Sequence, residues 1–90
     1  MTDTLPDDLA VRAALERIGA PMPASVEWLA EDGVLEIVWA SNDPLGIRGY
    51  ADRWQTSERL EELGASVDDT DEDTMWIRPD ELFAAAERAR

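Results

Sequence analysis

The chain contains no cysteine, no histidine and no lysine. Without cysteine there can be no disulfide, no thiolate nucleophile and no Cys/His zinc site. Without histidine the side chain best suited to moving protons near neutral pH is missing. With neither histidine nor lysine, a serine or threonine nucleophile also lacks its customary base. No apolar run approaches the roughly 20 residues that span a bilayer; Ile37-Val38-Trp39-Ala40 is of strand length. The first residues, Met1 to Asp8, are acidic and have no apolar stretch of the kind a signal peptide needs. There is no Walker-type phosphate loop and no dinucleotide fingerprint. The expectation is a cytoplasmic chain that is not an enzyme and holds no cofactor.

What the chain has in excess is negative charge. Its 90 residues carry 21 acids against eight basic residues, all arginine, a formal charge of −13. Residues 1–45 contribute −7 and residues 46–90 contribute −6, so the charge is not confined to a tail. Two like charges about 8 Å apart in water repel by about 0.5 kcal/mol. Several such pairs rival the roughly 5–10 kcal/mol that holds a small domain together. Molar salt shortens the screening length to about 3 Å and removes most of that repulsion. Acid excess without lysine is therefore expected of a protein adapted to high salt, as in a salt-accumulating halophile. A genome rich in arginine codons would account for the missing lysine but not for the −13. A surface of this sign repels nucleic acid and anionic membranes, so the expected partner is a protein. Apolar residues make up 44% of the chain, enough for one core in one domain spanning 1–90.

Val11, Ala14, Leu15 and Ile18 fall on one helical face. Thr4 can cap this first helix, with Pro6, Asp7 and Asp8 in its first turn, and Gly19 followed by Pro21 stops it. A β-hairpin follows, with Asp32-Gly33 as a two-residue turn. Pairing outward from that turn sets Ala30 against Leu35, Trp28 against Ile37 and Val26 against Trp39, all on one apolar face. Residues 41–50 are turn-rich, and Asp43-Pro44 can start a helix; Gly46 and Gly49 would weaken it. From Ala51 to Leu63 the pattern is helical, but Trp54 is half a rotation from Leu63. Either the helix breaks near Thr56-Ser57 or Trp54 points elsewhere. A second hairpin joins Ala65–Val67 to Thr74–Arg78, and Met75 with Ile77 competes with Trp76 for its inner face. A third helix begins at Pro79, with Leu82, Phe83, Ala86 and Ala89 as its stripe.

The fold expected is α+β, in the order αββ-αββ-α, with helices on one face of a mostly antiparallel four-stranded sheet. Leu15 to Ala20 (Leu-Glu-Arg-Ile-Gly-Ala) recurs at Leu60 to Ala65 (Leu-Glu-Glu-Leu-Gly-Ala). An internal duplication, with units 4–45 and 46–78 and a terminal helix 79–89, would explain the recurrence. So would the frequency with which helices end in leucine and glycine.

Asp69, Asp71 and Asp73 alternate, and Asp80 stands twelfth from Asp69, a partial match to an EF-hand loop. Thr74 stands where the loop needs glycine, Asp80 where it needs a bidentate glutamate, and Met75-Trp76-Ile77 reads as strand, so no metal site is assigned. Gly19-Ala20-Pro21-Met22-Pro23, with Leu35 to Val38 and Asp43-Pro44, resembles in outline the small sulfur-carrier proteins that have a Cys-Pro-x-Pro motif. In that family a strand precedes the motif. Here a helix does, and Ala20 stands where the essential cysteine would be, so the resemblance implies no carrier chemistry. Ile47, Tyr50, Arg53 and Trp54 form the candidate partner-binding patch, since Tyr, Trp and Arg dominate interface hot spots. A homodimer through this patch or a sheet edge is one form of such contact. The competing expectation is a DNA mimic whose carboxylates occupy a basic groove.

Overall fold

The computed structural model describes residues 7–40 and 47–89. Its elements run α1 (Asp8–Arg17), β1 (Ser25–Leu29), β2 (Val34–Val38), α2 (Ile47–Glu62), β3 (Val67–Asp69), β4 (Thr74–Ile77) and α3 (Pro79–Arg88). The strands form one antiparallel sheet in the order β1-β2-β4-β3. The second strand of each hairpin, β2 and β4, thus lies in the middle of the sheet.

Alternation along the strands sends Leu35, Ile37 and Trp39, with Met75 and Ile77, to one side of the sheet. There they meet Val11, Ala14, Leu15 and Ile18 from α1, Leu60 from α2, and Leu82, Ala85, Ala86 and Ala89 around α3 in a single core. On α3 Leu82 and Ala85 are fully buried, while Phe83 is partly buried at the margin. The expected Thr4 cap and Pro6 lie outside the described residues, as do Asp43-Pro44 and Gly46. Asp7 is the N-cap of α1, its carboxylate accepting the Leu9 amide at 3.1 Å. Both leucine-glycine stretches end their helices alike. Gly19 and Gly64 take φ of +82° and +89°, and the Ala20 and Ala65 amides each reach back 2.9 Å to Leu15 O and Leu60 O.

The register of the first hairpin differs from the expected one by two residues. Trp28 faces Leu35, Val26 faces Ile37, and Leu29 faces Val34. The turn is therefore a four-residue loop, 30–33. Leu29 O accepts the Asp32 and Gly33 amides at 3.1 and 2.8 Å, and Gly33 takes a φ of +67°. Asp-Gly suits the end of such a loop as well as a two-residue turn. A two-residue shift preserves the face of every side chain, so the apolar sorting survives. Only Ala30 moves out, into the exposed loop. Trp39 has no partner on β1; its amide donates to Asp73 O at 2.8 Å and its indole to Pro21 O at 2.9 Å.

In the second hairpin Met75 and Ile77 take the core side. Trp76 lies on the opposite face of the sheet, where its indole donates to Glu36 at 3.0 Å. That face stays half-exposed, and Glu27 stands directly across from Glu36.

Gly49 is buried because α2 presses its backbone onto Trp39, just past the end of β2. A Cβ at this position would collide with the Trp39 carbonyl oxygen. Alanine is the better helix former by about 1 kcal/mol, yet Gly49→Ala is expected to lose about 1–3 kcal/mol through the displacement of α2. Urea unfolding followed by circular dichroism reads the difference. A variant as stable as the parent would show that α2 moves off Trp39 without cost.

Candidate interaction surface

The interior side of α2 is mostly polar. Its buried residues are Gly49, Arg53, Thr56, Ser57 and Leu60, a face with only one large apolar side chain. Thr56 Oγ1 donates to Asp52 O one turn back at 2.8 Å, which satisfies its hydroxyl without a tertiary partner. Arg53 and Ser57 point at the second hairpin. Arg53 Nε donates to Glu72 O at 3.0 Å and Nη1 to Asp69 Oδ2 at 2.9 Å, while Ser57 Oγ donates to Asp69 Oδ1 at 2.7 Å. This cluster ties α2 to both ends of the acidic β3–β4 connection.

The candidate patch is divided by this arrangement. Ile47, Tyr50 and Trp54 are 56%, 47% and 52% exposed, at i, i+3 and i+7 along the outward face of α2. Arg53 is only 5% exposed, and its guanidinium lies 5.3 Å from the Tyr50 ring centre. It is a brace beneath the patch and unavailable to a partner, which corrects the expectation that it belongs to the contact surface. The helix does not break at Thr56-Ser57; Trp54 points outward.

Trp54 also forms one wall of a groove of about 340 Å³ between α2 and the end of α1, lined with Ile18, Gly19, Ala20, Glu58 and Glu62. Arg59 sits at its base. Its Nε donates to Ile18 O at 3.1 Å and its Nη1 lies 3.5 Å from Glu62. Other large exposed apolar residues, Leu9 and Met22, stand singly and call for no partner.

The alternating aspartates go separate ways. Asp69 is taken by Arg53 and Ser57, Asp71 accepts the Glu72 amide, and Asp73 accepts the Thr74 hydroxyl. Among the described residues no group of three carboxylates is placed to hold a metal ion. No described helix is long and apolar enough to cross a membrane.

Compared with family models, curated proteins and solved structures, the chain matches none of them.

Proposed function

We propose that this chain is a small cytoplasmic, non-catalytic protein-binding or accessory domain adapted to high salt, and that it binds through the outward face of α2. The observation that carries this reading is the run of Ile47, Tyr50 and Trp54 on one helix face in the solvent. A protein that invests in surface charge to stay hydrated gains nothing from exposing three large apolar side chains together. Two of them, tyrosine and tryptophan, are the types that anchor interfaces.

The DNA-mimic alternative has less support. Of the 21 acids, Asp3 and Asp43 lie outside the described residues. The other 19 occur on every helix and strand except β4, and on the loops between them. A mimic would gather them along one stripe.

Affinity capture from the host at its native salt, comparing the parent with Tyr50→Ala/Trp54→Ala, tests the reading. The parent should retain a protein that the variant loses, while both give the same circular dichroism spectrum. An unchanged set of captured proteins overturns it.

A further inference from the structure

The outward face of α2 changes character along its length. At 100° per residue Ile47, Tyr50, Ala51, Trp54, Glu58, Glu61 and Glu62 fall within about 120° of arc, and all are exposed. The first two turns are apolar and the last turns are acidic. We infer that this face docks an amphipathic basic segment of another protein, its apolar side chains on Ile47, Tyr50 and Trp54 and its arginines or lysines on Glu58, Glu61 and Glu62. The inference rests on the protein-binding reading above.

Charge complementarity is the first argument. Carboxylates are unfavourable at the C-terminal end of a helix, where the backbone dipole is already negative. α2 places three there, with Arg59 as the basic residue of its last turn. Arg59 is already engaged by Ile18 O and Glu62. Glu58 and Glu61 make no ion pair with any described residue. No ion pair within the described residues offsets the dipole cost of Glu58 and Glu61, whereas a cationic partner would.

The groove supplies the second argument. Trp54, Glu58 and Glu62 line it together, and of the two carboxylates only that of Glu62 is paired, with Arg59. That combination suits an arginine or lysine side chain, through cation–π contact and charge-assisted hydrogen bonds.

A second copy of the chain is a poor occupant. A two-fold axis across the helices would set the apolar half of one α2 against the acidic half of the other. An axis along them would set glutamates beside glutamates. Both arrangements also bring together two molecules of charge −13.

The test uses a phage-displayed library of random 16-residue peptides panned on the intact chain in about 1 M KCl, where the long-range field is screened and contacts remain. Selected peptides, fluorescently labelled, are measured by anisotropy. The expected sequences combine apolar residues with arginine or lysine. Binding should weaken about tenfold in Trp54→Ala and about threefold or more in Glu58→Gln/Glu61→Gln/Glu62→Gln, with circular dichroism confirming that both variants fold. Peptides without basic residues that depend on Trp54 but not on the glutamates would overturn the basic-segment inference and leave the binding surface standing. Peptides indifferent to all these substitutions, or no enrichment, would overturn both. Sedimentation showing a dimer abolished by Trp54→Ala would put a second copy on the face and overturn the inference.

Discussion

Arg53→Met is expected to destabilise the protein by about 2–4 kcal/mol, a large part of the roughly 5–10 kcal/mol available to a small domain. Methionine fills most of the same volume, so the loss reports hydrogen bonds and charge, not a cavity. Removing the guanidinium leaves Glu72 O without its donor and Asp69 with only the Ser57 hydroxyl. The Asp69 side chain is 42% exposed, so water recovers part of its hydration, which keeps the figure below that of a fully buried pair. Arg53→Lys is expected to fall between parent and methionine. An ammonium at the end of a flexible chain cannot hold the carbonyl and the carboxylate in the fixed fork that Nε and Nη1 provide. Equilibrium urea unfolding at constant KCl gives both values. A methionine variant within about 0.5 kcal/mol of the parent, inside the range of an ordinary surface substitution, would mean that the cluster is not a brace.

The same geometry recurs. Arg12 places Nε on Asp8 and Nη1 on Pro23 O, and Arg59 places Nε on Ile18 O and Nη1 on Glu62. Three arginines thus each join a carboxylate to a main-chain carbonyl from another segment, a two-way contact that lysine does not reproduce. The absence of lysine therefore has a structural counterpart, whatever the codon usage behind it.

Stability should rise by about 2–4 kcal/mol as KCl is raised from about 50 mM to about 2 M, the sum of several like-charge pairs at about 0.5 kcal/mol each. For a domain of this size that is a gain in melting temperature of roughly 10–25 °C. Even if every arginine neutralised one acid, 21 acids less eight arginines would leave 13 carboxylates uncompensated. One pair can be isolated. Glu27 and Glu36 face each other across β1 and β2, and directly opposed like charges cost about 0.2–1 kcal/mol. Glu27→Gln should therefore stabilise the protein at low salt and have little effect at 2 M. Thermal unfolding of parent and variant across the salt series measures both effects. Complete cooperative folding at 50 mM, no more stable at 2 M, would refute the role assigned to the charge.

Much of the fold was legible in the sequence, and the misses have specific causes. The stripe of α1, the two hairpins and the start of α3 follow from periodicity and turn chemistry, which are local. The first hairpin's register was missed by two residues because Asp32-Gly33 serves two loop lengths and the side-chain faces are the same in both. The side taken by Trp76 depends on Glu36, 40 residues away, which stands opposite it only once β2 and β4 pair. Arg53 was misplaced for a different reason. It shares a face with Thr56, Ser57 and Leu60 at i+3, i+4 and i+7, the spacing of a buried stripe, but three of the four are polar and a hydrophobic pattern registers only the leucine. Helical angles would have separated Arg53 from Trp54. They would not have revealed the Asp69 carboxylate and Glu72 carbonyl that make its burial tolerable.

The two halves of the chain meet at the middle of the sheet, β2 against β4, while β1 and β3 lie at the edges. One core is built from both halves, so neither keeps a closed interior if the other comes apart, and the molecule has no partial way to let its crowded carboxylates separate. It must hold together or open completely. Ionic strength is then expected to act on this protein as a denaturant series acts on others, moving a single transition of the whole structure.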